Sequence, residues 1–500
     1  MNIPARPERL ENIFLVAPSG PLEGRVRAGG AKNSALKLMA ACLLAEGTHV
    51  LKNVPSILDV EIMSELLEAI GARVHRYTGA AGSLAGGSTP ATMDGDAPSR
   101  DTPGSEIPAN VSTGTSPGGH ATVRSRSGQT GPTMHSSMPA NLPSLDTGDL
   151  IIDVPTTLSP EAPYELVERI RASIVVLGPL LGRTGKARVS LPGGDDFGNR
   201  PVNMHVDSLA RMGTQFKTAH GYIEGIARTG RLVGNRVVLE YPSHTATDNV
   251  LMASVLAEGT TVIENAAREP EVADLASMLT SMGARIKGAG TSQITVEGVP
   301  HLLPAVHTVM ADRVVAATFV AAVAMAGGNV MVEDARFEHM DTLLRKMSQM
   351  GVEISHKSSG LHIQHDCASR LRSVDVSTLP YPGVATDYAP FIVTMLSIAD
   401  GVGIVSENLF PGRFRYVDEL VRLGADISTE GHHAVVRGVK RLQGAPVKAP
   451  DLRGGAALVL AGMVAEGETT VSQVAHIDRG YEDLAGKLAS LGAQVRRIQP

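Results

Sequence analysis

Three short stretches carry residue types that could act on an anion. "GGAKNS" places Lys32 behind two glycines, at the start of an apolar run. An ammonium group there would stand beside the exposed N–H groups of a helix start, which favour anions. "SLPGGDDFGNRP", residues 190–201, sets the adjacent carboxylates Asp195 and Asp196 on a glycine-rich turn just before Arg200. "HIDRGYE" offers Arg479. Guanidinium groups grip phosphate and carboxylate through paired hydrogen bonds. Each stretch also has a plainer reading. Gly, Asp and Asn form acidic turns for backbone reasons alone. Arg479 could pair with Asp478 or Glu482 beside it. Asp387 in "GVATDYAP" precedes an apolar run and is suited to cap a helix.

The elements that would position these groups recur along the chain. "LLAEGTHVLKNVPSILDVEIMSELLEAIGARV" (43–74) and "VLAEGTTVIENAAREPEVADLASMLTSMGARI" (255–286) share one plan. A helix ends at "AEG", an apolar strand and an amphipathic helix follow, and "GAR" turns the chain into another strand. Copies return at 324–354, 398–427 and 463–495, with a looser one at 180–216, making six. In the first copy Leu66, Leu67 and Ile70 fall on one helix face. Each unit has an apolar helix face and an apolar sheet face and cannot bury both alone, so the copies must pack together. Their spacing is too uneven and too long for a stacked solenoid. The expectation is a globular α/β assembly in two lobes. Residues 1–35 and 250–475 form one lobe, 36–249 the other with the Asp195 loop, and 476–500 return to the first. The segment 217–250 and the final helix and strand are expected to link the lobes.

Composition excludes several classes. The chain has 500 residues, is 43% hydrophobic and has only 3% aromatics with no Trp. It lacks the stacking platforms that single-stranded nucleic acid needs. A net charge of −6 gives no global field for DNA or RNA. The two cysteines, Cys42 and Cys367, form no metal or disulfide pattern. The N-terminus has no apolar leader, and no apolar run is long enough to span a membrane. A cytoplasmic protein is expected. Residues 77–148 are rich in Gly, Ser, Thr and Pro without apolar periodicity, and read as a disordered insertion.

The six units, with "GGAKNSALK", "SLPGGDDFGNRP", "NAAREPE" and "HIDRGYE" in that order, resemble the enolpyruvyl transferases over nearly the whole chain outside the insertion. The resemblance implies a two-lobed inside-out α/β barrel built from six repeated βα units, with helices at the core of each lobe and sheets outside. Within the family the chain is similar to members that join the enolpyruvyl group of phosphoenolpyruvate to the 3′-hydroxyl of UDP-N-acetylglucosamine and release phosphate. That step opens peptidoglycan synthesis. The implied partners are these two small molecules. No metal, organic cofactor, nucleic acid or membrane is implied, and a monomer is expected.

The resemblance also assigns residues. Lys32, Arg200 and Arg479 match positions that hold phosphoenolpyruvate. Asn33 and Arg171 match sugar-nucleotide contacts, and "YPSHTATDN" with Ser243 and His244 matches the diphosphate-binding stretch. Leu409, Arg413, Asp451 and Arg453 match further substrate-binding positions. Asp387 matches the carboxylate near the sugar hydroxyl and is expected to act as base. Asp195 stands where most members carry a cysteine, the general acid for C3 of phosphoenolpyruvate. Its pKa must rise from about 3.9 for that task, through loop closure and the neighbouring Asp196. Fosfomycin alkylates the family cysteine, so insensitivity is expected here.

Four positions depart from the usual pattern: Asn203 for Asp, Thr245 for Gly, Val315 for Glu and Val384 for an aromatic. They leave two other readings open. One is an enolpyruvyl transferase acting on another nucleotide in an antibiotic pathway. The other is a non-catalytic paralogue that only binds sugar nucleotide.

Overall fold

The computed structural model describes residues 12–79, 144–191 and 202–499. Asp195, Asp196 and Arg200, and residues 80–143 of the expected insertion, lie outside the described residues. By contacts the chain forms one large unit, Met1–Tyr77 with Asp146–Pro500, and a separate unit Thr78–Leu145. At the mouth of that second segment the backbone is paired: Tyr77 N–H donates to Asp149 O, and Gly148 N–H to Tyr77 O, both at 2.8 Å.

The six sequence copies become six four-stranded sheets of one topology among the described residues. The first copy shows the pattern. Gly47–Lys52 pairs antiparallel with Leu150–Val154, which pairs antiparallel with Arg73–Arg76. A fourth strand, Val306–Thr308, adds parallel to Gly47–Lys52, with Val306 opposite Val50. The intervening helix, Leu58–Ile70, buries Val60, Met63, Leu67 and Ile70 on one face. It stops at Gly71, whose φ of 117° suits a residue without Cβ.

The helix that precedes each sheet is buried nearly all round. Every residue of Arg313–Ala326 and of Ala389–Leu396 is buried. That explains their Ala- and Val-rich sequences: small side chains let buried helices approach closely, and no polar face is needed.

Two separate hydrophobic cores result. One is built from Ala31 to Val309. The other combines Phe14–Ala28 with Val314–Val495. This differs from the expected lobe boundaries, since residues 250–309 pack in one core with Ala31–Leu239. The reason lies in the borrowed edge strands. Val306–Thr308 closes the ring of three sheets by pairing with the first copy, whereas 217–250 stays inside that lobe. Within it, Thr214–Ala219 pairs with Tyr222–Ala227, and Arg236–Val238 adds parallel to Thr260–Glu264. The chain start closes the other lobe. Ile13–Ala17 sits between Thr469–Ser472 and Gln494–Ile498, and Leu22–Arg27 adds parallel to Gly328–Glu333.

The chain therefore crosses between cores near residues 29–31 and 309–312, and the two crossings run side by side. Ala31 N–H donates to Met310 O at 2.7 Å, and Asp312 N–H to Gly29 O at 2.9 Å. Gly30 is packed so closely that a Cβ would fall 1.8 Å from Asn53 O. The chemistry-bearing Lys32 follows directly after this crossing.

Candidate active site

A cleft of about 540 Å³ opens where the two lobes face each other. Its walls carry more Lys and Arg than Asp and Glu, although the chain is net negative. Lys32, Asn33, Arg171, Ser243, His244, Asp387, Leu409, Arg413, Arg453 and Arg479 all line it. These residues span most of the chain length, yet one cavity collects them.

Lys32 begins helix Lys32–Cys42 and is 8% exposed. Its Nζ lies 2.6 Å from Asp59 Oδ2. Arg479 Nε–H donates to the other oxygen of Asp59 at 2.9 Å. The neighbours suspected from sequence have other partners: Asp478 pairs with Arg497, and Glu482 with Lys487 at 3.3 Å. Burial alone would raise the Asp59 carboxyl, but the charges of Lys32 and Arg479 outweigh it and hold it below the usual carboxylate range. Lys32, Asp59 and Arg479 form a cation–carboxylate–cation bridge from one lobe to the other.

A second charged group comes from the lobe that holds the termini. Asp387 lies in a short turn, Thr386–Tyr388, before helix Ala389–Leu396. That helix is not capped by a side chain, so the capping expectation for Asp387 is corrected. Its carboxylate instead receives Arg413 Nη2 at 2.9 Å and Arg453 Nε at 3.3 Å. Both arginines are nearly buried, at 3% and 2% exposure. Burial pushes the Asp387 carboxyl up, and the two arginines pull it further down, well below the normal range. Asp387 is thus ionised and fixed in orientation, with 26% of its side chain open.

Buried acids around this group hold it in place. Glu407, fully buried, accepts from Leu409 N–H at 2.9 Å, Phe410 N–H at 3.0 Å and Thr386 Oγ1 at 2.7 Å. It joins the Leu409 turn to the turn that bears Asp387. Asp451 caps helix Leu452–Val464, accepting from Arg453 N–H and Gly454 N–H at 2.9 Å each. It does not line the cleft. The Oδ1 of Asp451 is engaged by the backbone of this helix start.

On the opposite wall, Ser243 caps helix His244–Ser254. Its Oγ accepts from Ala246 N–H at 3.4 Å. Thr245, the departure from glycine, sits within this first helical turn, and its hydroxyl lies 3.5 Å from Ser243 Oγ. The turn forms with Thr in place, so this helix N-terminus still faces the cleft. Behind it, Lys37 Nζ lies 2.7 Å from His244 Nδ1 and 3.1 Å from Asp248 Oδ2. His205 also lines this wall. Burial, then the Arg171 charge, lowers its imidazole pKa to about 4. The other departures are structural: Val384 and Val315 are buried in the core, and Asn203 starts a helix between two cleft residues, Val202 and Met204.

Sequence reading missed Asp59, Lys37 and Arg313. Arg313 Nε pairs with Glu271 Oε1 at 2.9 Å, and its Nη1 donates to the Tyr388 hydroxyl at 3.3 Å. Glu271 belongs to "AREPE" in one lobe and Arg313 starts the other lobe's first buried helix, so this pair also joins the lobes. A charged residue on an otherwise buried helical face was the one signal available for each of the three.

The chain is similar to known proteins over nearly its whole length. The sequence matches the EPSP synthase (3-phosphoshikimate 1-carboxyvinyltransferase) family over residues 16–93 and 135–488. A UDP-N-acetylglucosamine 1-carboxyvinyltransferase of Nocardia farcinica is 44% identical over 485 residues, 97% of this chain and 98% of that one. Proteins of the same name from Anaeromyxobacter sp. and Mycobacterium tuberculosis are 42% and 41% identical, over 95% and 97% of this chain and 97% and 99% of theirs. The structure of the enolpyruvyl transferase NikO from Streptomyces tendae has a TM-score of 0.75 at 22% identity, over 98% of this chain and 99% of that one. That of EPSP synthase from Acinetobacter baumannii has 0.67 at 15% identity, over 98% and 100%.

Proposed function

The chain belongs to the EPSP synthase family of enolpyruvyl transferases, and on that premise we propose that it is a UDP-N-acetylglucosamine 1-carboxyvinyltransferase. It moves the enolpyruvyl group of phosphoenolpyruvate to the 3′-hydroxyl of UDP-N-acetylglucosamine and releases phosphate, the entry to peptidoglycan synthesis. The observation that carries this reading is near-full-length identity above 40% to relatives of that name, on a chain whose cleft collects the charged groups the reaction needs. The other-nucleotide reading draws on likeness of fold alone.

The transfer needs four services. Two anionic groups of phosphoenolpyruvate must be held, C3 must receive a proton, the sugar hydroxyl must lose one, and the diphosphate must be bound. Lys32 and Arg479 are assigned to phosphoenolpyruvate, with Arg200. Asp59 bridges the first two and so fixes where their charges stand for the ligand's phosphate and carboxylate. Asp387 is assigned to the 3′-hydroxyl. Held ionised by Arg413 and Arg453, it orients the hydroxyl by accepting its hydrogen bond. It takes the proton only as the 3′-oxygen bonds to C2, because its depressed pKa makes it a weak base beforehand. Asp195 is assigned to protonate C3. When the C2–O–phosphate bond breaks, C3 returns a proton and phosphate leaves.

Among the described residues no helix is long and apolar enough to cross a membrane. We place the enzyme in the cytoplasm and take it to act as a monomer, as the family resemblance implies. The test is phosphate release from phosphoenolpyruvate. Release that depends on UDP-N-acetylglucosamine is expected. Release with UMP but not with the sugar nucleotide, or none with either, would overturn the proposal.

A further inference from the structure

Lys37 and Asp248 have no role in the chemistry above, yet both are buried against the cleft wall. Lys37 is 2% exposed and Asp248 is 0% exposed. Both face one atom, His244 Nδ1. Lys37 Nζ stands 2.7 Å from it and Asp248 Oδ2 stands 3.4 Å from it, while Lys37 and Asp248 pair at 3.1 Å. The His244 ring keeps 31% of its side chain exposed and lines the cleft. Its Nε2 has no hydrogen-bond partner among the described residues.

We infer that Lys37 selects the tautomer of His244 and so turns its Nε2–H into a donor for a phosphate of the nucleotide. The argument is one of donors and acceptors. An ammonium has three N–H donors and no acceptor. At 2.7 Å from Lys37 Nζ, Nδ1 must be the acceptor, because an N–H there would point at another N–H. The neutral ring then carries its proton on Nε2. The alternative, Nδ1–H donating to Asp248, runs at 3.4 Å, too long to compete with the 2.7 Å contact. Asp248 acts instead on Lys37, keeping a buried ammonium paired.

The group that Nε2–H would meet follows from its surroundings. His244 is in the first turn of its helix, where Ser243 caps only the Ala246 N–H and the first N–H groups have no intrahelical acceptor. A ring N–H donor beside the N-terminal turn of a helix suits a phosphate oxygen. This deepens the proposed function and rests on it: the phosphate is one of the diphosphate of UDP-N-acetylglucosamine. Lys37 is a positioning residue, and His244 is the one that touches ligand.

Two measurements test it. In protein labelled with 15N histidine, the His244 ring should show an unprotonated Nδ1 and a protonated Nε2, and the Nε2 signal should shift when UDP-N-acetylglucosamine alone is added. Lys37→Met should lose the preference for that tautomer. In phosphate-release kinetics, His244→Leu and Lys37→Met should each raise KM for the sugar nucleotide about tenfold, with KM for phosphoenolpyruvate nearly unchanged. His244→Gln, whose amide N–H reaches the Nε2 position, should stay within a few-fold of the native enzyme. A proton on Nδ1, an unmoved Nε2 signal, or an unchanged KM in His244→Leu would each overturn the inference. If Lys37→Met does not fold, the His244 variants and the native spectrum decide alone. Failure of the proposed function reads differently: the native enzyme would then release no phosphate with this acceptor, whatever the tautomer.

Discussion

Lys32 Nζ lies 2.6 Å from Asp59 Oδ2, and Arg479 holds the other oxygen of the same carboxylate at 2.9 Å. One buried acid thus stands between two cations assigned to phosphoenolpyruvate. Asp59→Asn would leave them facing each other without a counter-charge. A loss of stability on the order of 3 kcal/mol is expected, as for a broken buried pair. Inorganic phosphate should recover part of it by supplying the missing anion. Thermal unfolding with and without phosphate checks this; a variant as stable as the native chain, or one that phosphate does not help, would count against it.

Glu271 is held at about 2, because the Arg313 charge overcomes the effect of burial. Its folded pKa lies below its unfolded value. Its contribution to stability is therefore present above about pH 4.5, and is lost as pH falls from there toward 2. Glu271→Gln should lower stability at neutral pH and flatten the acid limb in that window. Chemical denaturation at a series of pH values measures both effects. Parallel curves for native and variant protein would show that the pair does not join the lobes energetically.

Asp387→Ala should cut turnover by roughly two to four orders of magnitude, the range for loss of a positioned proton acceptor. The fall should appear in kcat more than in either KM. Asp387→Asn keeps the shape and loses the charge, so it should resemble Ala in rate. If either variant loses only thermal stability, Asp387 merely neutralises Arg413 and Arg453.

Fosfomycin should leave the enzyme active. Among the described residues Cys42 is buried and Cys367 is exposed, and neither lines the cleft. Asp195 is the residue assigned to the position of the family's usual target. Asp195→Cys should make the enzyme sensitive. Rapid irreversible inactivation of the native chain would remove Asp195 from its assigned place.

Much of this was legible from residue order. The six copies were visible because each repeats a local pattern: "AEG", an apolar strand, an amphipathic helix and "GAR". Local patterns survive in sequence because helix and strand periods are short. The cleft positions Lys32, Arg413 and Arg479 were legible through family motifs. The lobe boundary was not. Residues 250–309 look like any other copy, and only the parallel pairing of Val306–Thr308 with Gly47–Lys52 shows which ring they complete.

Sequence alone thus determined the repeating unit, the number of copies and the chemical types gathered for an anionic substrate. Tertiary structure decided the partners. Asp59 and Arg479 are 420 residues apart. Asp387 reads as a helix cap until Arg413 and Arg453 are placed on its two oxygens. Lys37 reads as one stray charge in an apolar helix until Asp248 and His244 meet it. The physical reason is common to all three. A charge on a mostly apolar face announces that a partner must exist, since burying it unpaired is too costly. Which residue answers depends on how separate elements pack, and that is not written in the spacing around either one.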